Sequence, residues 1–251
     1  MREEYTDYPC SGKKYNGEKA IISLTSWRAR INTVSKTLFS LIKQCPGFHI
    51  VLVLSEEEFP QMEKELPENL MLFVKNELIE LLWVHKNYKA FKKVLFTISK
   101  YKNIPVISAD DDCLYKCNYA QELYDKWKEN EASIVGTSNA KKYKNTFWPN
   151  GCCTLFPPFY FMEFGLYCLT DEIISRQLDD DYYAILRDIL NLRTFSKIKK
   201  SMKDICKFHN EKSPMRDTYT KNRFEEQTIR IYERIIKNKI SEYYENNKSA
   251  L

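Results

Sequence analysis

A chain of 251 residues with 43% hydrophobic and 29% charged side chains carries enough apolar material for a real core, which excludes wholesale disorder. The net charge of +5 is unevenly placed: positions 184–251 hold 16 basic and 9 acidic side chains, or +7, which leaves 1–183 at −2. A body of that charge with no nucleic-acid motif argues against nucleic acid as a partner, and no run approaches the ~18 apolar residues of a membrane span.

The N-terminus, MREEYTDYPCSGKKYNGEK, has no apolar h-region, so a cytoplasmic chain is expected. The eight cysteines, Cys10, Cys45, Cys113, Cys117, Cys152, Cys153, Cys168 and Cys206, then read as reduced thiols. Cys113 and Cys117 have C-x3-C spacing, but no second Cys/His pair nearby completes a zinc site.

Along the chain, 20–24 (AIISL) reads as a buried strand ending at Thr25-Ser26. Val34, Leu38, Leu41 and Ile42 recur at helical spacing, and Pro46-Gly47 stops that helix. A second strand is expected at 49–54, a short charged helix at 56–66, and two short strands at 71–74 and 81–84. Phe91, Val94, Leu95 and Ile98 mark a helix face. The strand 104–108 (IPVIS) runs into Asp110-Asp111-Asp112. A helix over 119–129 and a strand at 133–136 follow. Residues 141–164 are rich in aromatics and prolines and read as loops or short antiparallel strands. Helical patterns return at 171–178 and from Asp179 to about 192, and the last helix spans 224 to about 240. Strand–helix alternation predicts a mostly parallel sheet flanked by helices, with ligands at the carboxyl ends of its strands. One compact domain with a basic C-terminal extension is the simplest parse.

Three adjacent carboxylates after a buried strand repel one another unless a cation neutralises them, and oxygen ligands suit Mg²⁺ or Mn²⁺. The alternative is a solvated turn with an Asp helix cap. Asp179-Asp180-Asp181 is a second acidic cluster, either a general base and acceptor anchor or an N-cap cluster favoured by the helix dipole. Thr25, Ser26 and Arg30 end the first strand, where an Arg can reach a phosphate or sit in an exposed loop. Lys92 and Lys93 are adjacent and cannot share a face, so one would point at a diphosphate and the other at solvent. No G-x-G-x-x-G and no P-loop is present, so phosphates would be held by metal and Lys/Arg. Interspersed Ile198, Met202 and Ile205 in the basic segment 187–212 suggest an amphipathic surface helix, either solvated or docked on anionic lipid beneath a membrane.

Six ordered segments over about 20–235 resemble the bacterial-type GT-A glycosyltransferases of the nucleotide-diphospho-sugar transferase superfamily. They are IISLTSWRARINTVSKTLFSLIKQ, NYKAFKKVLFTISKY, VISADDDCLY with a DxD pair, GCCTLFPP beginning at Gly151, LDDDYY, and NRFEEQTIRIYERI with Asn222, Glu226 and Gln227. The family's second glycine after Gly151 is replaced here by Cys152-Cys153.

The resemblance implies a GT-A fold over 1–251, with a nucleotide-sugar-binding half (1–138) and an acceptor-side half (139–251). It further implies Mn²⁺ or Mg²⁺ on Asp110 and Asp112, and a donor site of Thr25, Ser26, Arg30, Lys92, Lys93, Asp110 and Asp111. Asp180 or Asp181 would deprotonate or orient the acceptor hydroxyl. Trp148, Gly151, Phe156 and Tyr160 would form the acceptor side, although aromatics in such a run also serve as core. The implied activity moves a sugar from a nucleotide-diphosphate sugar, a UDP-sugar being favoured, to a glycan or lipid-linked saccharide in surface polysaccharide synthesis. The rivals are an inactive glycan- or partner-binding module and a sugar nucleotidyltransferase. Against the latter, TSWRARI lacks the glycine-rich loop such enzymes usually show.

Overall fold

A computed structural model describes residues 8–44, 46–137, 142–143, 146–147, 151–192, 194–209 and 223–247. Its elements are β1 (Cys10–Gly12), β2 (Ala20–Thr25), α1 (Val34–Ile42), β3 (Phe48–Ser55), α2 (Glu68–Lys75), β4 (Glu80–Val84), α3 (Lys92–Lys100), β5 (Val106–Ser108), β6 (Cys113–Tyr115) and α4 (Tyr119–Lys128). There follow β7 (Ile134–Gly136), β8 (Lys142–Tyr143), β9 (Thr146–Phe147), β10 (Thr154–Phe156), α5 (Phe164–Tyr167), α6 (Asp171–Arg176), α7 (Asp179–Ile189), β11 (Phe195–Lys197), α8 (Met202–Ile205), β12 (Cys206–Phe208) and α9 (Arg223–Asn246).

The main sheet has the order β1-β4-β3-β2-β5-β10-β7-β11. Strands β4, β3, β2 and β5 are mutually parallel, β1 caps the edge antiparallel, and β10 runs antiparallel between β5 and β7. The parallel strands are buried on both faces, as their unbroken apolar runs require. Their alternate residues feed two cores. Ile22, Leu24, Leu52 and Trp83 pack with α1, α2 and α4, while Ile21, Val53 and Leu82 pack with α3, α7 and α9. Each such fully buried side chain is worth about 1.5–3 kcal/mol, so a one-residue register slip would be prohibitive.

Three expectations need correction. Residues 71–74 are part of helix α2, with Leu70 and Val74 buried one turn apart and Leu72 exposed. A four-residue apolar run has too little periodicity to separate strand from helix. Residues 56–66 form turns and a single 3-10 turn, Met62–Glu65, instead of a helix. Among its described residues the basic segment contains no amphipathic surface helix. It forms β11, the four-residue α8 and β12, and Ile198 and Ile205 are buried in the first core with Met202 packed against it. Ile198, Met202 and Ile205 face inward because β11 pairs with β7 and β12 with β6, while Phe208 stays exposed at the rim of the cleft. Among the described residues no helix is long and apolar enough to cross a membrane.

Candidate active site

Strands β2 and β5 lie side by side and parallel, so their carboxyl ends open at the same edge of the sheet. Ser26 and Arg30 follow the first, and Asp110–112 follow the second. The two loops lock together: Ser26 Oγ donates to Asp111 Oδ2 at 2.6 Å, and Arg30 Nη1 lies 2.6 Å from Asp111 Oδ1 and 3.1 Å from Asp112 Oδ2. Arg30 is buried and neutralises the acidic loop; it is not the solvated basic loop residue that was the alternative. Thr25 Oγ1 donates to the Val53 carbonyl at 2.7 Å, tying the end of β2 to β3.

Behind the acidic loop, the Tyr115 hydroxyl accepts the Asp110 N–H at 2.8 Å. The Thr37 hydroxyl donates to the Asp111 carbonyl at 2.8 Å and sits 2.9 Å from His209 Nε2, while the His209 N–H donates to the Asp112 carbonyl at 2.8 Å. The backbone of all three aspartates is therefore pinned from α1, β6 and β12. His209, which follows β12, belongs to this support because β12 folds back onto β6.

Helix α3 brings the lysines. Both are buried, so neither is the solvated partner expected from their adjacency. Lys93 Nζ lies 2.8 Å from Asp110 Oδ1 and 3.4 Å from Asp179 Oδ2; Lys92 Nζ donates to Asn87 Oδ1 at 3.1 Å and is 3.8 Å from Glu58. The 3-10 turn Lys89–Phe91 leads directly into α3 and carries both side chains to the same cleft.

The cleft measures ≈ 460 Å³ and is walled by Thr25, Ser26, Arg30, Lys92, Lys93, Asp110, Asp111, Asp112, Gly151, Asp179 and Asp180. That volume suits a small-molecule ligand. Trp27 and Lys89, from the two basic motifs, complete the wall together with Glu58, Asn87, Gln177 and Phe208, which the sequence does not single out. Lys89 and Gln177 take left-handed φ angles of 52° and 58°, a turn geometry that non-glycine sequence does not advertise.

Helix α7 starts with the three aspartates in its first turn, where the dipole favours negative charge. Asp179 and Asp180 face the cleft. Asp181 does not line it; it is buried beside Tyr232 of α9 and is corrected as a catalytic candidate. Gly151 approaches so closely that a Cβ there would lie 2.7 Å from Lys93 Nζ, 3.2 Å from Asp180 Oδ1 and 3.5 Å from Asp110 Oδ1. A side chain at this position would have to displace the Lys93 amine from between the charged groups. Phe156 and Tyr160 are fully enclosed in the second core, with the Tyr160 hydroxyl on the Leu192 carbonyl, and do not line the cleft. Trp148 and Asn222 lie outside the described residues.

Electrostatics set the character of the cleft. Burial, then the nearby Asp110, pushes the Asp112 carboxyl up to about 6 against the opposing pull of Arg30. Burial also raises Asp111, with Arg30 and Ser26 opposing. Burial and Asp179 hold Asp180 well above the carboxylate range, Lys93 working the other way. Burial disfavours the Lys93 charge, but Asp110, Asp179 and Asp180 outweigh it and raise that amine well above its usual value. Lys92 is pushed down to about 8 by burial, with Glu58 opposing.

Six carboxylates, Glu58 among them, therefore face one cleft; Arg30 and Lys93 contact the aspartates, and Lys92 lies 3.8 Å from Glu58. Asp180 Oδ1 is shielded from solvent and has no hydrogen-bond partner among the described residues. This donor set fits a hard divalent cation, which typically takes one or two carboxylates and completes its shell with phosphate oxygens and water. Asp110 and Asp112 both line the cleft.

No protein-family model and no curated protein matches the sequence. Solved structures do match. The chain is similar to S. aureus TarS 1-349 in complex with UDP-GlcNAc, at 12% identity and a TM-score of 0.53, covering 92% of this chain and 73% of that one. It is also similar to full S. aureus TarS at 11% identity and a TM-score of 0.50, covering 75% of this chain but only 36% of that chain. Identity this low speaks for architecture alone. The chain has a GT-A-like fold, shared with the nucleotide-sugar-binding S. aureus structure.

Proposed function

We propose that this chain is a metal-dependent glycosyltransferase that takes a sugar from a nucleotide-diphosphate sugar, a UDP-sugar being favoured, to a glycan or lipid-linked saccharide acceptor in surface polysaccharide synthesis. The observation that carries the reading is the convergence of Arg30, Lys92, Lys93, Asp110, Asp112 and Asp180 on one cleft at the carboxyl edge of a parallel sheet. The UDP-GlcNAc held by the structurally similar S. aureus TarS 1-349 supports the donor class.

Asp110 and Asp112 would hold Mn²⁺ or Mg²⁺, which when bound stabilises the negative charge that develops on a departing nucleotide diphosphate. Ser26 and Asp111 fix the Arg30 guanidinium at the floor of the cleft. Lys92, anchored by Asn87, presents a positive head to the phosphates from the α3 side. Lys93 restrains Asp110 and Asp179 and keeps the second acidic cluster compatible with the first.

Asp180 is the group placed to accept a proton. Burial and Asp179 raise its affinity for a proton, and its unpartnered Oδ1 leaves a lone pair for an acceptor hydroxyl. Gly151 keeps the space between Lys93 and Asp180 open. Binding of an acceptor beside the donor converts transfer into a positioned reaction, which is the larger part of the rate gain such a site offers.

The test is donor hydrolysis and Mn²⁺-dependent binding across UDP- and GDP-sugars, with Asp112→Ala as control. Turnover of one donor, lost with EDTA and in the variant, is the expected result. Full activity in EDTA, or no donor bound by the wild-type protein, would overturn the reading.

A further inference from the structure

The seven described cysteines are free thiols, and four of them are not scattered. Cys113 on β6, Cys206 on β12, and Cys152 and Cys153 in the turn before β10 meet in the first core, all buried. The Sγ atoms of Cys113, Cys152 and Cys206 lie within 4.8 Å of one another, and those of Cys152 and Cys153 are 3.4 Å apart. Cys168 shows how an ordinary buried thiol looks in this protein: it sits alone among apolar side chains of the second core. Cys117, which completes the C-x3-C spacing with Cys113, is exposed and takes no part.

We propose that Cys113, Cys152, Cys153 and Cys206 form a thiolate site for one Zn²⁺. Zn–S bonds of about 2.3 Å in a tetrahedron place the sulfurs roughly 3.8 Å apart, which matches the spacing of the Cys113–Cys152–Cys206 trio and of the adjacent Cys152–Cys153 pair. Sulfur-only donors in a closed, solvent-free pocket select a soft or borderline metal over the hard cation suited to the carboxylates. Binding would release the thiol protons to solvent, and the ligand set has no open position, so the role is structural.

The placement gives that role content. Cys113 follows Asp112, Cys152 follows Gly151, and Cys206 begins the strand whose far end puts the His209 N–H on the Asp112 carbonyl. One ion would thus join the acidic loop, the Gly151 turn and the C-terminal ribbon, three segments distant in sequence. Added negative charge beside Asp112 is met by Arg30, 3.1 Å from that carboxylate. This site stands independently of the donor chemistry proposed above.

The test begins with the untagged wild-type chain, purified under reducing conditions and dialysed against EDTA to strip the carboxylate site. The expected metal content is one zinc per chain. Apoprotein titrated with Co²⁺ should develop intense sulfur-to-cobalt charge-transfer absorption with an endpoint at one equivalent. Cys113→Ser and Cys206→Ser should each weaken Co²⁺ binding by at least roughly 100-fold, more than loss of an outer-shell partner costs, whereas Cys10→Ser and Asp112→Asn should leave zinc content and spectrum unchanged. Wild-type protein without zinc and with a featureless Co²⁺ titration would overturn the proposal, even if the serine variants fail to fold. So would zinc that persists in both serine variants and is lost in Asp112→Asn, which would place it on the carboxylates.

Discussion

Lys93 is 4% exposed, and its Nζ is 2.8 Å from Asp110 and 3.4 Å from Asp179, with Asp180 a further contributor to its raised pKa. Lys93→Met keeps most of the side-chain volume and removes the charge, leaving Asp179 and Asp180 without their cation. Breaking a buried ion pair from one side costs about 3–5 kcal/mol. Against a total of about 5–15 kcal/mol this is a large fraction, equivalent to a fall in Tm of roughly 6–20 °C for a domain of this size. The sign of the pH dependence follows from the same groups. Asp180 already has a folded-state pKa above its ordinary value, and the variant removes the lysine that was lowering it. The folded variant then binds protons more tightly than the unfolded chain, so its stability rises as pH falls and drops as pH rises. Urea unfolding at pH 5.5 and 7.5, in EDTA so that no added cation substitutes for the lysine, measures both effects. A loss below about 1 kcal/mol at pH 7.5, or a loss that does not shrink at pH 5.5, would refute the claim that Lys93 is what compensates this cluster.

Gly151→Ala adds a Cβ 2.7 Å from Lys93 Nζ without demanding a left-handed backbone, so the fold should survive with Tm shifted by only a few degrees while donor turnover falls at least about 10-fold; wild-type turnover would show that the crowding is relieved elsewhere. Glu80 is buried and accepts from His49 at 2.7 Å, Lys100 at 2.6 Å and the Tyr101 hydroxyl; burial raises its pKa, but these bonds outweigh burial and leave it below the ordinary 4.5. Its contribution is therefore present above about pH 4.5 and lost as pH falls further, and Glu80→Gln should cost about 2–4 kcal/mol at pH 7 and flatten that acid limb in denaturation curves. Lys92, with its amine lowered to about 8, should lose charge as pH rises past that value, so donor Kd measured by calorimetry should weaken above pH 8 in the wild type and stay flat in Lys92→Gln. A wild-type Kd independent of pH between 7 and 9.5 would remove Lys92 from the phosphate site.

Most of the sheet was legible in the sequence because buried parallel strands announce themselves as short, unbroken apolar runs. AIISL, HIVLVL and VIS lie in β2, β3 and β5, and helices α1, α3 and α4 follow their 3.6-residue periodicity. Where local pattern was short, it failed: 71–74 is helical because Leu70 and Val74 share a face, a fact outside the four-residue window. The donor side of the cleft was also legible, since strand ends in an alternating sheet face one edge and Arg30, Lys92, Lys93 and Asp110–112 all sit at such ends or on the helix beside them.

What tertiary structure alone decided is which of several similar residues does what. Asp179, Asp180 and Asp181 are equivalent in sequence, yet helical rotation turns Asp179 and Asp180 into the cleft and Asp181 toward α9. Phe156 and Tyr160 could have formed an acceptor wall, although aromatics in such a run more often serve as core, and the antiparallel insertion of β10 between β5 and β7 drew them inward. Ile198 and Ile205 looked like the apolar face of a surface helix until strand pairing gave them a core to fill. Sequence carries the period of each segment and the chemistry of each side chain. Long-range pairing sets the partner, and pairing between segments about forty to ninety residues apart is what brings Cys113, Cys152, Cys153 and Cys206 to one point.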